Sequence, residues 1–289
     1  MGLKAKFNLA MLVAFVVGLA LAGAFAHRVL QDNARREVMQ EARVMLGQAS
    51  AISTYTDQEI APLLADQLKI RFLPQSIPFF AAQANFRMMN KSFPDYTFKE
   101  AALNPTNPAD RATDWEADII NAFRADQHRK QLIAERDSPT GRLLTVSVPI
   151  TVSDPSCLEC HSTAAVAPPT MVDLYGANNG FGWKMGETVG AEIVSVPMSV
   201  ALDRANRTFV VFLAGLAVVF LLMVLLLNVL LHYMIVRPVR RMSVIAGEVS
   251  LGNMDAPEFK ANGRDEISSL GESFNRMRRS LANAMKLLE

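Results

Sequence analysis

The chain is poor in the residues that build metal and redox chemistry. It has two cysteines and four histidines in 289 residues. Two thiols cannot form the disulfide framework of a small secreted domain, and no second Cys/His cluster is present to complete a zinc site, which wants about four ligands. Charge of one sign is also missing. Lys and Arg number 29 against 28 Asp and Glu, a net charge of +1, so no broad basic field points to nucleic acid. Charged residues make up only 20% of the chain, and hydrophobic residues 51%. That balance points to membrane segments on a chain long enough for one ordinary domain plus accessory elements.

Both cysteines fall in one stretch, Cys157-Leu158-Glu159-Cys160-His161. This is the spacing of c-type haem attachment, in which two thiols bond the porphyrin edge and the following histidine binds iron. A thioredoxin-like dithiol expects the pair at a helix start within a βαβ unit, whereas this pair follows Asp154-Pro155-Ser156 and precedes a polar, proline-containing loop. A disulfide across two intervening residues closes almost no loop and is a poor staple. The expectation is one covalent haem c per chain, with His161 as proximal ligand. Attachment of haem c takes place outside the bacterial cytoplasmic membrane, so Cys157 is expected on that side.

An apolar run from Leu9 to Ala26 follows Lys4 and Lys6 and is just long enough to span a bilayer. Ala24-Phe25-Ala26 also fits a signal-peptide cleavage site; the length of the run and a second span downstream favour an uncleaved anchor. The second run carries no formal charge between Arg207 and Arg237. Arg237, Arg240 and Arg241 beyond it, with Lys4 and Lys6, place both termini in the cytoplasm. Segment 1–8 is then cytoplasmic, 9–26 the first span, 27–207 periplasmic, 208–236 the second span and 237–289 cytoplasmic, in a bacterial inner membrane. Asn228 and His232 lie four apart on one face of the second span. A b-type haem shared by two His232 residues is a minor alternative to a plain interhelical hydrogen bond.

From 27 to about 70 the pattern reads as one long amphipathic helix. Val38, Ala42, Met45, Ala49 and Ile52 form a narrow seam, suited either to a stalk or to a helix packed on its own domain. A helix is expected through Ala81–Asn90 and another from Trp115 to about Asp126, capped by Asp110 or Thr113. Strands are expected at Tyr96–Leu103, Leu143–Ile150 and Gly190–Pro197. The glycine-rich loop Tyr175–Gly190 lacks the ending of a phosphate loop. The fold class is α+β, with a mostly antiparallel sheet.

Two resemblances extend this reading. Beyond the second span, Pro238 opens a short apolar seam of Ile235, Val239, Met242, Ala246 and Val249. Asp265-Glu266 opens a second helix with Ile267, Leu270, Phe274, Met277, Leu281, Ala284 and Leu288 in heptad order. Residues 235–289 resemble a HAMP domain, which implies a parallel four-helix bundle made by a homodimer. Residues 45–198 resemble the single-haem c-type, PAS-like sensor domains of bacterial receptors. The matching features are Ala51-Ile52, Ala61-Pro62, Asn104-Pro105-Thr106-Asn107, the haem motif, Gly180-Phe181, Gly190-Ala191 and Val196-Pro197.

That family implies a five-stranded antiparallel sheet with flanking helices around the haem. Some members supply a second axial ligand from a cysteine on the first long helix, where this chain has Tyr55. Tyr55, Met88 or Met89, and His128 are the candidate sixth ligands, beside an open or water-filled site; Arg87 is a candidate propionate partner. The expected function is a membrane-anchored haem c sensor of redox state or of a gas such as NO, CO or O2. It would signal through the HAMP-like region to a separate cytoplasmic partner, since no output domain precedes Glu289. A tethered cytochrome passing electrons to a redox partner is the alternative. An enzyme is not expected.

Overall fold

The computed structural model describes residues 2–139, 141–253, 255–260, 263 and 265–286. The chain divides into two units. One is His27–Thr208; the other comprises the sequence on either side of it.

Helix α1 runs from Leu3 to Tyr55 without interruption. A wide turn at Thr56–Ile60 follows, then α2 (Ala61–Leu68). The turn sits two residues before Pro62. That proline has no N–H for the carbonyl four residues back and crowds it, so the helix widens instead of continuing. The single helix expected over 27–70 is therefore broken near its end. After a 3₁₀ turn at Pro74–Ser76 come α3 (Pro78–Asn90) and β1 (Thr97–Ala102). Then follow α4 (Asp114–Ala125), β2 (Leu132–Ser138), β3 (Gly141–Thr151), α5 (Cys157–His161), α6 (Pro169–Tyr175) and β4 (Thr188–Pro197). Of the two caps expected for α4, Thr113 is the one used: it forms a capping box with Glu116. Glu116 in turn accepts a 2.7 Å ion pair from Lys99.

The described strands form one antiparallel sheet of four, in the order β1-β4-β3-β2. This differs from the five strands implied by resemblance. The proline-broken stretch 104–108, whose prolines cannot donate to a ladder, is followed only by an isolated bridge between Ala102 and Arg111.

Alternation along the strands sends side chains to two different layers. On one face Leu144, Val146, Val194 and Val196 meet Ala34, Val38, Ala42, Met45 and Ala49 of α1, Ala82 and Phe86 of α3, and Ala201 and Ala205 of α7 (Ser199–Leu230). The α1 seam is thus a helix packed on its own domain. On the other face Ala101, Ala191 and Ile193 meet Ile119, Ile120 and Phe123 of α4.

In the second unit, two helical stretches are long and apolar enough to cross a membrane, one within Lys4–Leu68 and one within Ser199–Ser250. Phe15 stacks on Phe220, with ring centroids 3.6 Å apart. Asn8 and Asn228 exchange side-chain amide hydrogen bonds of 3.2 and 2.9 Å. His232 Nδ1 lies 3.1 Å from Lys4 Nζ. His232 is thus engaged by an interhelical hydrogen bond of the plain kind.

Another wide turn, Leu231–Val236, ends two residues before Pro238 and repeats the device seen at Pro62. Helix α8 (Arg237–Ser250) buries Met242, Ile245 and Val249, while Val239 is exposed. Asp265 caps α9 (Glu266–Lys286) by accepting the Ser268 N–H at 2.8 Å. Phe274 packs against Ile245 and Val249, and Leu270, Met277 and Leu281 of the same heptad are exposed. Leu288 lies outside the described residues.

Candidate functional site

The Cys-x-x-Cys-His stretch forms one helical turn, α5. Asp154 starts the turn: its carboxylate accepts the Ser156 N–H at 2.8 Å, and its carbonyl accepts from Cys157 N. Cys157 and Cys160 are free thiols, both half-buried. Burial, then the neighbouring Glu159 and Cys157, push the Cys160 thiol up.

His161 is held from three sides. Its Nδ1 lies 2.7 Å from the Gly180 carbonyl. A carbonyl only accepts, so Nδ1 carries the proton and Nε2 keeps a lone pair. Trp183 stacks on the imidazole at 3.8 Å with the rings 12° apart. Thr106 Oγ1 stands 3.4 Å from Nδ1. Burial lowers the imidazole's proton affinity, and the Gly180 bond partly offsets that. The side chain is therefore a neutral, oriented Nε2 donor.

The glycine-rich loop provides this orientation. Gly182 N–H donates to the Ser162 carbonyl and Trp183 N–H to the His161 carbonyl, lacing the loop to the exit of α5. Gly180 has φ +82°, and a Cβ there would lie 2.8 Å from the Thr106 backbone. The close approach of the 104–107 turn and the loop needs glycine at this position.

A cavity opens beside His161. Its apolar wall includes Phe72, Ile77, Phe79, Phe80, Ile150 and Met171, and Cys160, Trp183 and Tyr175 also line it. None of the expected sixth ligands does. Tyr55 is the last residue of α1 and is 59% exposed. Met88 is 67% exposed on α3, and Met89 packs into the α1–sheet core. His128 is exposed beyond α4, where its N–H bonds Asp126. Arg87 lies over the Phe80 ring and is likewise not part of the wall.

The residues missed by sequence reasoning are Trp183, Thr106, Met171, Tyr175 and Glu100. A signal existed for Glu100. It sits at the inward parity of β1, between Phe98 and Ala102, and its register partner Glu192 shares the parity of Val194 and Val196.

Glu100 lines the cavity, is 5% exposed, and neither carboxylate oxygen has a hydrogen-bond partner. Desolvation, then the Glu192 and Asp110 charges, push it up to about 9; Gln83 softens the shift. The Gln83 amide itself donates to Asp110 at 2.9 Å.

A folded carboxyl raised from 4.5 to about 9 holds a proton that the unfolded chain has released. For the chain alone, this contribution is therefore lost as pH rises from 4.5 through about 9. Glu100→Gln is expected to leave stability nearly unchanged at about pH 4 and raise it by a few kcal/mol at about pH 7. Denaturant unfolding of the solubilised chain at the two pH values checks this; equal effects at both refute it.

Among the described residues, no three His, Cys, Asp or Glu side chains converge to hold a bare metal ion. No curated protein matches the chain. The crystal structure of the cyanobacterial haem-protein Tll0287 aligns at 14% identity with a TM-score of 0.43, covering 56% of this chain and 95% of that one. A HAMP domain model matches residues 230–283. A Tll0287-like model matches residues 31–197, more than half of the sequence, and the chain belongs to the Tll0287-like family.

Proposed function

We propose that this chain is a membrane-anchored haem c sensor that carries a redox or small-gas signal to its HAMP domain and on to a separate cytoplasmic partner. The observation that carries the reading is His161: on the same helical turn as the two thiols and next to the second, neutral, with Nδ1 committed to Gly180 and Nε2 left as a donor beside an apolar cavity. The residues fit the cofactor. Cys157 and Cys160 would form the thioethers and His161 would bind the iron, while the aromatic and aliphatic wall suits a porphyrin face. The group would supply one-electron redox change or gas binding.

The chain's own part is to orient and to transmit. The Gly180 carbonyl fixes the imidazole tautomer, and Trp183 fixes the plane of the ring. Helices α1 and α7 pack together on the sheet through Val38, Ala42, Ala201 and Ala205. Both continue into the apolar segments, so a change in the haem domain has two direct outlets. In α9 the exposed Leu270, Met277 and Leu281 call for a partner helix, supplied by a second copy of the chain. Both termini are cytoplasmic in this reading, the haem domain is periplasmic, and the chain is not an enzyme.

An optical spectrum of the purified protein, oxidised and reduced, with and without CO, tests the proposal beside a haem stain on a denaturing gel. Covalent stain with a CO-shifted reduced spectrum is expected for a gas sensor. Stain with a CO-inert, low-spin spectrum moves the reading to redox sensing or to the tethered electron carrier. No covalent haem in cells that mature c-type cytochromes refutes it.

A further inference from the structure

The inward face of the sheet changes character along its length. Phe98, Val194 and Val196 belong to the packed core, and Ala102, Ile150 and Gly190 line the cavity. Glu100 and Glu192 face each other in register at the boundary. Burial raises both carboxyls. A buried acid that served only the fold would be paired, because an unmatched buried carboxyl costs stability. The groups facing Glu100 offer no such pairing. Glu192 on β4 and Asp110 after β1 are acidic, and Gln83 on α3 donates to Asp110 at 2.9 Å and only partly offsets the burial of Glu100. Arg87 and Lys99 act on Asp110, and Lys99 is bound to Glu116. Tyr175, His161 and Cys160 complete the titratable groups of the cavity wall.

We infer that Glu100, with Glu192 as its register partner, is a proton-binding site that couples a change of electron count in the cavity to proton exchange with solvent. The inference rests on the haem reading above. In the haem-free chain Glu100 keeps its proton up to about 9. Beside the extra positive charge of the oxidised cofactor the pair releases it, and when a one-electron reductant such as dithionite delivers an electron the Glu100/Glu192 pair binds one proton from water and forms one carboxyl O–H bond. When a one-electron oxidant such as ferricyanide removes the electron, that O–H bond breaks and the proton returns to water. The charge of the cavity is the same before and after, so the domain senses potential and pH together.

The test is a spectroelectrochemical titration of the full solubilised protein from about pH 6 to about pH 9, the range that spans an ordinary and a raised carboxyl. The same sample is stained for covalent haem. The midpoint potential is expected to fall with pH towards one proton per electron, and Glu100→Gln is expected to flatten it. Infrared difference spectra of the unsubstituted chain are expected to gain a carboxylic C=O band on reduction, shifted in D2O; this readout decides the matter where the variant does not load. Stained protein with a pH-independent potential and no such band overturns the proton site alone. So does an undiminished slope in Glu100→Gln. Absence of stain overturns the haem reading and this inference together.

Discussion

A full-length Cys157→Ala, Cys160→Ala variant is expected to lose covalent haem stain entirely while keeping its helical and strand content. The two thiols are half-buried on a single helical turn, and that turn is held by Asp154, not by the sulfur atoms. Replacing them removes little packing, of the order of 1 kcal/mol each. The loss falls instead on attachment. Without thioethers the cofactor would be held by His161 Nε2 and apolar contacts alone, which detergent and denaturant release. Stability then falls by the binding term, several kcal/mol for a tightly held group. The measurements are haem stain, far-UV circular dichroism and the denaturation midpoint. Undiminished covalent haem in the double variant sinks the attachment chemistry. Loss of secondary structure together with stain would assign the cysteines a structural role.

How much of this was legible in the sequence differs from element to element. Strands β3 and β4 announce themselves as β-branched apolar runs because helices cover both faces of the sheet there, and β1 as a short run between turn residues. Strand β2 does not. It lies at the sheet edge, reads Leu-Ile-Ala-Glu-Arg-Asp-Ser and leaves most of its side chains in water, so no apolar period marks it. The α1 seam was visible as a period but not as a destination, since three- and four-residue steps suit a coiled-coil partner and a sheet equally. The proximal side of the site was legible because its chemistry is local to five residues. The far side is made of contacts between distant segments: Phe72 and Ile77 before α3, Glu100 on β1, Met171 and Tyr175 on α6. Tyr55 is a candidate by its match to the family's ligating position, and Met88, Met89 and His128 by donor chemistry. Spacing along a helix could not tell the cavity side from the core or from solvent.

Gly180 is where a backbone requirement becomes a functional one, and Gly180→Ala is expected to damage both the fold and the site. Gly176 is its natural control. Both have left-handed φ, +83° at Gly176 and +82° at Gly180, so alanine is strained at either, by about 1–2 kcal/mol. At Gly176 the added methyl meets nothing within 4 Å. At Gly180 it meets the Thr106 hydroxyl and lies 2.8 Å from the Thr106 backbone nitrogen and Cα. Backbone cannot rotate aside, so the 104–107 turn and the loop must separate, at a further cost of about 1–3 kcal/mol. Separation also draws the Gly180 carbonyl from His161 Nδ1, and the imidazole loses the bond that fixes its tautomer. Gly176→Ala should therefore lower the unfolding midpoint modestly and leave the haem spectrum unchanged. Gly180→Ala should lower the midpoint by clearly more and perturb the axial-ligand bands of the spectrum. Equal midpoint shifts with identical spectra in the two variants would show that the Thr106 contact and the His161 bond carry no weight beyond the turn itself.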